Sequence, residues 1–305
     1  MDAATQTFDR LRPRLLGVAY RMLGSLAEAE EVVQDAWLRW HEADTGVLDS
    51  AEAWLVAVVT RLSIDRLRAA KVRRAHYVGT WLPEPLLTDA PATPEQLLER
   101  ADNLSVAFLT LLERLTPEAR AAFLLREVFD ADYAEVARVL GKSEAACRQL
   151  VHRARTQLRD ERPRFPVDRG AHERLLQGFA QAAMKGDLQG LKAALSEDVE
   201  LVGDGGGKVP SFGKVLRGRD RLAHLYFAVA RRTAGRMKMV LAEVNGMPGL
   251  LRYVDGQLES VQSFETDGER ILRIHTQRNP DKLSQAAAAG RLVDVNQTEL
   301  KDIHP

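Results

Sequence analysis

The chain has one cysteine, Cys147, in 305 residues. One thiol excludes an intramolecular disulfide framework, and no Cys/His spacing has the form of a zinc site. Aromatic residues are scarce at 6%, and net charge is absent, since 43 Lys and Arg balance 43 Asp and Glu. Bulk attraction to a polyanion is therefore excluded. Any nucleic-acid contact has to come from local basic patches, with a partner supplying much of the rest. No run of 18 apolar residues occurs, and the N-terminus lacks a basic segment followed by an apolar core. No membrane span or secretory leader is expected, which leaves a cytoplasmic location. What is present is 45% apolar content. At this length that is ample for the cores of two or three domains.

The stretch Asp132 to Arg159 carries the most information. Phe129, Tyr133, Val136, Ala137 and Leu140 fall on one face of a short helix. Gly141-Lys142-Ser143 interrupts it: Gly closes the first helix in a left-handed cap, and the Ser143 hydroxyl caps the next, which begins at Glu144. Along that second helix Cys147, Val151, Ala154 and Leu158 share the inward face. Arg148, Gln149, His152, Arg153 and Arg159 are left outside. With four Arg and one Glu from Glu144 to Arg159, the pattern is a helix-turn-helix with a recognition helix. Arg suits a guanine edge and Gln an adenine edge, while the amides at Ser143 and Glu144 suit phosphate. The plainer alternative is a helical hairpin with a solvated basic face. Cys147, facing inward, reads as a small core residue.

Earlier in the chain, Phe8, Leu11, Leu15, Ala19 and Met22 form one helical stripe, and Gly24-Ser25 marks a turn. Ser25 with Glu28 has the form of a capping box opening a second helix through Val32, Val33, Ala36, Trp37 and Trp40. Eight carboxylates face one cation, Arg39, between Gly24 and Glu52. A third helix, from about Ala51 to Arg74, is apolar in its first half. Its second half carries Arg61, Arg66, Arg68, Lys71, Arg73 and Arg74 against Asp65 alone. Charge by itself allows two solvated faces that balance each other.

The residues also carry a resemblance. Glu28-Ala29-Glu30-Glu31-Val32-Val33-Gln34-Asp35-Ala36-Trp37-Leu38-Arg39 resembles the core-polymerase-binding region of bacterial sigma factors of the extracytoplasmic-function type. Ala53-Trp54-Leu55, followed by Ile64-Asp65-Arg66-Leu67-Arg68, resembles the helix that engages and opens the promoter −10 element. Leu115-Thr116-Pro117-Glu118-Ala119-Arg120 resembles the start of the domain that reads the −35 element. The segments follow the family's order. The resemblance implies that Glu30, Glu31, Gln34, Asp35, Trp37 and Arg39 bind core RNA polymerase. It implies that Arg61, Arg66, Arg68, Lys71, Arg73 and Arg74 lie against −10 DNA. Ser143, Glu144, Arg148, Gln149, His152 and Arg153 would then lie against −35 DNA. Many members of the family have Asn where Arg61 stands, so a backbone contact is expected there.

Between Tyr77 and Pro94, Trp81-Leu82-Pro83-Glu84-Pro85-Leu86, Pro91 and Pro94 forbid a long helix and favour an extended linker. A plain tether has no need of Trp and Leu, so this one is expected to dock. Helix is expected again from Pro94, with Leu97, Leu104, Phe108, Leu111, Leu112 and Leu115 on an apolar face.

Minimal members of the family would stop near Arg162; Pro163 and Pro166 mark a boundary. Helices are expected at Glu173 to Lys185, Leu188 to Leu195 and Asp220 to Arg232. Strands are expected at Val199 to Val202, Val209 to Leu216, Met237 to Val244, Leu250 to Val254, Ser260 to Glu265 and Ile271 to Gln277. Asn245-Gly246, Asp255-Gly256 and Asp267-Gly268 are expected as hairpin turns. This layout is similar to the steroid-isomerase and polyketide-cyclase-like fold called SnoaL-like, an α+β domain with a curved sheet around a pocket. Trp81-Leu82-Pro83-Glu84-Pro85-Leu86, Asp204-Gly205-Gly206-Gly207-Lys208 and Asn279-Pro280-Asp281-Lys282-Leu283 together resemble the group of these sigma factors that carries a fused SnoaL-like domain. In that group the extension is thought to regulate the factor, which makes Trp81, Pro83, Glu84, Pro85, Asp204 to Lys208 and Asn279 to Lys282 interdomain regulatory residues.

The expected architecture is therefore multidomain. Two all-α sigma domains, region 2 at 1–76 and the region 4 helix-turn-helix at 101–162, are joined by a Pro-rich linker at 77–100. A SnoaL-like α+β domain at 168–283 and a tail at 284–305 follow. Gly205-Gly206-Gly207-Lys208 is not a phosphate loop, because Val202 and Val209 stand where it needs Gly and Ser or Thr. His224, Tyr226, Tyr253 and His275 could supply acid and base groups, but no telling pair emerges. The expectation is a promoter-directing initiation factor, not an enzyme, without cofactor or metal. Its partners are core polymerase and promoter DNA, and a small ligand in the last domain is left open. The alternatives are a pocket enzyme or ligand sensor tethered to a DNA-binding module, and a ligand-responsive repressor. The acidic second helix argues against the repressor.

Overall fold

The computed structural model describes residues 3–43, 48, 50–74, 77–88, 104–159 and 167–289. They cluster into two compact units, Met1–Tyr77 with Ala107–Arg164 and Val78–Val106 with Phe165–Pro305.

The first unit is helical. The stripe on α1 (Ala3–Leu23) buries Phe8, Leu15, Ala19 and Met22. On α2 (Leu26–Glu42), Ala29, Val32, Val33, Ala36 and Trp40 are buried, and the Ser25 hydroxyl accepts the Glu28 N–H at its start. Trp40 donates its indole N–H to the Ala4 carbonyl at 2.9 Å and stands 5.6 Å from the Trp54 ring. Trp54 lies on α3 (Ala51–Arg74), which spans the residues its sequence pattern defines. After α4 (Val106–Leu112), α5 (Pro117–Glu127) begins with Thr116 accepting the Ala119 N–H and Pro at its first position. Pro lacks the N–H that this position would leave unpaired, so the helix starts there without loss. The expected helical residues up to 103, Leu97 among them, lie outside the described residues.

In α6 (Tyr133–Leu140) and α7 (Glu144–Arg159) the expected turn is present. Gly141 has φ 62° and ψ 38°, the left-handed conformation that costs an L side chain, and Ser143 Oγ accepts the Ala146 N–H at 3.2 Å. Two details differ from the sequence reading. The start of α6 is fixed by a reciprocal capping box between Asp132 and Glu135, and its buried pair is Val136 and Val139. Phe129, Tyr133, Ala137 and Leu140 are only half-buried. The inward face is therefore rotated toward Val139, which packs in one cluster with Leu125 and Val151.

In the second unit, α8 (Arg169–Lys185), α9 (Leu188–Ala194) and α10 (Arg219–Thr233) accompany an open sheet of order β1-β4-β5-β6-β7-β2-β3. Its strands are β1 (Leu87–Thr88), β2 (Leu195–Asp204), β3 (Leu216–Arg217), β4 (Met237–Val244), β5 (Met247–Val254), β6 (Gln257–Thr266) and β7 (Ile271–Gln277), with α11 (Pro280–Ala289) following. β4 to β7 form an antiparallel meander, and β2 returns parallel to β7. Leu176, Phe179, Leu191, Leu222, Tyr226, Leu250, Phe264 and Ile274 are buried in one core between helices and sheet.

Three expectations change here. The strand at Val209 to Leu216 shrinks to Leu216–Arg217, because Pro210 cannot donate to a ladder and the preceding residues form a turn closed by Lys208 and Val209 N–H groups on the Gly205 carbonyl. Asn245-Gly246 and Asp255-Gly256, with φ from 53° to 79°, are tight turns as expected. Asp267-Gly268 instead lies in a longer connection in which Asp267 Oδ1 accepts the N–H groups of Glu269 and Arg270. The third change is that the Pro-rich segment enters the sheet. Leu87 pairs with Val244 and Thr88 with Glu243, so β1 extends the β4 edge.

Candidate functional site

The outward face of α7 is as the sequence pattern requires. Cys147, Val151, Ala154 and Leu158 are buried, while Arg148, Gln149, His152 and Arg153 are exposed and line one shallow depression. Ser143 and Glu144 are exposed at the start of the helix. Burial holds the Cys147 thiol above its usual pKa, which suits a packing residue and not a reactive one. Arg148 is the most constrained of the set. It pairs with Glu144 at 2.6 Å and lies 5.1 Å from the centre of the Tyr133 ring. Its guanidinium is therefore held near the helix start, where a base edge or phosphate would enter.

On α2, Glu30, Glu31, Gln34 and Arg39 are exposed, Asp35 and Trp37 are half-buried, and the Trp37 ring meets Phe8 edge-on at 4.9 Å. Leu38, 56% exposed, shares this face, and the sequence reading gave it no role. It stands seven residues after Glu31 and four after Gln34, which is one helical face, so the signal was in the spacing.

Three cations of α3, Arg61, Arg66 and Arg68, are engaged within the unit. Arg66 bonds Glu31 and, at 3.1 Å, Asp35. Arg68 bonds Glu118 at 2.5 Å and Asp65 at 3.2 Å. Arg61 donates to the Val139 carbonyl at 2.8 Å and the Arg138 carbonyl at 2.9 Å, the C-terminal carbonyls of α6. A cation there satisfies groups that a helix end leaves unpaired and opposes the negative end of its dipole. Arg120, 2% exposed, donates to the Met22 carbonyl at 2.6 Å and to Glu113 at 2.9 Å. Residues read in the sequence as DNA-facing are thus paired with residues read as polymerase-facing or as part of the helix-turn-helix. Lys71, Arg73 and Arg74 continue α3, and their side chains lie outside the described residues.

In the second unit the three sequence pieces around Trp81, Asp204 and Asn279 converge. Asp204, fully buried, accepts from the Leu82 N–H at 3.0 Å, from Gln277 Nε2 at 3.2 Å, from Lys282 Nζ at 2.7 Å and from the Gly206 N–H at 2.9 Å. Lys282 Nζ also donates to the Leu82 carbonyl at 2.6 Å and lies 4.2 Å from the centre of the Trp81 ring. Leu82, Pro83, Glu84 and Pro85 are buried. Leu86 exchanges two bonds with Asn245, at 2.8 Å and 3.0 Å. A Cβ at Gly206 would come within 2.4 Å of Asn279, and one at Gly207 within 3.0 Å of Val78. Glycine is needed there because the loop is pressed against its neighbours. Lys208 and Asp281 form an exposed pair at 2.6 Å on the rim. Gln277 and Asn245 are central to this seat and escaped the sequence reading. Nothing in a single chain marks a strand-end Gln or a hairpin Asn as a partner for a segment more than 150 residues away.

Beside the seat is a cavity of about 400 Å³ against α10 and the sheet. Of His224, Tyr226, Tyr253 and His275, only Tyr226 lines it. His224 is exposed on α10, while Tyr253 and His275 are buried. Burial, with Arg273 nearby, pushes the His275 imidazole down to about 3, so it stays neutral. The four do not form an acid-base set.

Models of known families agree with this arrangement. Sigma-70 region 2 matches residues 7–73, and sigma-70 region 4 matches residues 105–158. Those are the two helical portions of a sigma-70-type initiation factor. The ECF RNA polymerase sigma factor SigJ of Mycobacterium tuberculosis is 37% identical over 288 residues, covering 91% of this chain and 92% of SigJ. The crystal structure of SigJ superposes with a TM-score of 0.74 at 36% identity, covering 92% of this chain and 98% of that one. The probable ECF sigma factor SigI of the same species is 29% identical over 94% of this chain and 97% of its own length. The chain belongs to the ECF RNA polymerase sigma factors. Its fold is accordingly two sigma helical regions followed by an α+β domain, and its family is one of transcription initiation factors and not of enzymes. Among the described residues no helix is long and apolar enough to cross a membrane.

Proposed function

We propose that the chain binds core RNA polymerase through the face of α2 that carries Glu30, Glu31, Gln34, Asp35, Trp37, Leu38 and Arg39. It directs initiation by placing Arg148, Gln149, His152 and Arg153 on the −35 element, with Ser143 and Glu144 at the phosphates. The basic half of α3, with Arg61, Arg66, Arg68, Lys71, Arg73 and Arg74, goes to the −10 element. In the arrangement described, Arg61, Arg66 and Arg68 are spent on internal partners, so that element can be engaged only after those pairs exchange for DNA and polymerase. The ion pairs of Arg66 and Arg68 reach solvent and are worth roughly 0–1 kcal/mol each, which makes their exchange easy.

The α+β domain modulates this activity through the linker. One observation carries that reading: the segment from Trp81 to Thr88 is built into the second unit, buried from Leu82 to Pro85 and continuing as a β-strand, not laid across it. A segment so held ties the α+β domain to the stretch of chain that runs between the two sigma regions. The test is in vitro transcription with core polymerase, comparing the full chain, Lys282→Met and a truncation after residue 162. Both alterations should change promoter activity in the same direction. Unchanged activity in both would refute modulation through the linker.

A further inference from the structure

The cavity in the second unit has a chemistry that the sigma function leaves unused. Its apolar lining comes from Leu201 of β2, Leu225 and Val229 of α10, and Pro210 and Phe212 of the β2–β3 connection. Phe212 is 40% exposed, an apolar ring on the lining that solvent reaches. The same lining includes the hydroxyls of Tyr226 and Thr276 and the amide of Gln262, all buried. Tyr226 donates to Gln262 Oε1 at 3.2 Å, and Gln262 donates on to Ser260 at 3.3 Å. Burial holds the Tyr226 phenol up at about 12, so it stays protonated. The Thr276 hydroxyl lies close enough to Tyr226 to influence it, but makes no hydrogen bond of sound geometry among the described residues, and neither does Nε of Arg278. Buried groups of this kind ordinarily have a partner.

The charge balance is also incomplete. Arg252 and Arg278, both on the lining, share one carboxylate: Glu259 takes Arg252 Nε at 2.6 Å on one oxygen and Arg278 on the other. Arg232 adds a third guanidinium at the lining. Two or more cations for one anion, around a largely apolar cavity with buried hydroxyls on its lining, suit one anionic head on an apolar body. The size is in the range of small-molecule sites, which run from roughly 300 to 1,000 Å³.

We propose that this cavity binds a small monocarboxylate with an apolar aryl or acyl body, its carboxylate placed by the Arg252 and Arg278 side and the Thr276 hydroxyl. The full chain, titrated at neutral pH by calorimetry with 1-naphthoate and with octanoate, tests it, with 1-naphthalenemethanol and 1-octanol as uncharged counterparts. Saturable binding of at least one acid is expected, about tenfold tighter than its alcohol. Which acid binds decides between a rigid aryl and a flexible acyl body. Val229→Trp, which fills the cavity from α10, should abolish binding. Thr276→Val, which keeps the volume and removes the hydroxyl, should weaken the acid several-fold and leave the alcohol unchanged. Equal binding of acid and alcohol overturns the proposal. So does the absence of saturable heat from both acids up to millimolar concentration, or binding that persists undiminished in Val229→Trp with native circular dichroism. Should Val229→Trp fail to fold, Thr276→Val decides alone: equal loss for acid and alcohol refutes the placed carboxylate.

Discussion

Replacing Asp204 by Asn keeps the side-chain volume and removes the charge. The native carboxylate is fully buried and gathers four donors, one of them the Lys282 ammonium, whose side chain is 13% exposed. Asn turns one acceptor oxygen into a donor and removes the negative charge that faces the ammonium at 2.7 Å. Breaking a buried pair from one side costs about 3–5 kcal/mol, chiefly the penalty of the remaining charge. The cost falls on what the pair holds, the backbone of Leu82 and the strand that follows. Amide hydrogen exchange is the direct assay. A 3 kcal/mol loss in local opening free energy should speed exchange of the Leu82 and Leu86 amides by roughly a hundredfold, while Leu250 and Leu251 in the middle of the sheet stay protected. Lys282→Met should do the same. The double variant should be milder than the sum of the two, by roughly 1–3 kcal/mol, because the two groups are in direct contact and each single change already removes their shared interaction. Additive effects, or an unchanged Leu82 amide in Asp204→Asn, would refute the idea that this pair clamps the linker.

Gln149→Ala should cost about 1–3 kcal/mol in binding to a −35 element and relax the preference at one base pair, whereas Arg153→Ala should weaken all sequences alike; competition binding against point-substituted duplexes separates the two. Arg61→Ala should lower the stability of the helical unit by about 1–2 kcal/mol in urea denaturation, since it uncaps the α6 carbonyls; an unchanged midpoint would show that the contact does not contribute in solution. The second unit should lose stability in acid. His172 and His275 are held at about 4 and about 3, below their usual 6.5, by burial and then by neighbouring Arg. The unfolded chain therefore takes up protons first, and stability present above pH 6.5 falls as pH drops below it, by about 2 kcal/mol per histidine at pH 5. His275→Gln should flatten that slope, and equal slopes would refute the assignment.

The helix-turn-helix and the three N-terminal helices were legible because their signals are local. Apolar spacing, a Gly with positive φ and hydroxyl caps all act within one or two turns. The meander was legible for the same reason, through Asn245-Gly246 and Asp255-Gly256. What escaped is non-local. Arg66 meets Glu31 and Asp35 across more than 30 residues, and Leu86 meets Asn245 across 159. No periodicity encodes such pairs, so charge runs on α2 and α3 could be read either as solvated faces that balance each other or as faces with separate addressees, but not as specific partners. The Pro-rich segment was read as extended and docked, which its composition supports, yet its place as the edge strand beside β4 depends on a partner that sequence alone does not identify. Leu38 was missed for a different reason. A lone exposed Leu is ordinary on any surface, and only its position on the α2 face makes it informative.

The buried Asp204 and Lys282 pair invites a question of purpose, because well-packed apolar residues at such a site would often be as stabilising or more so. Its geometry offers an answer. An apolar plug would hold Leu82 and Pro85 by area and would tolerate a slide of the segment by one residue. The carboxylate instead requires the Leu82 N–H, and the ammonium requires the Leu82 carbonyl and the Trp81 face, so the register of the linker is set at one residue. The β1 pairing with β4 reinforces that register, since a slip of one would turn every side chain of the strand to the opposite face. The pair and the strand together therefore fix, to the residue, the point at which the chain between the two sigma regions enters the α+β domain.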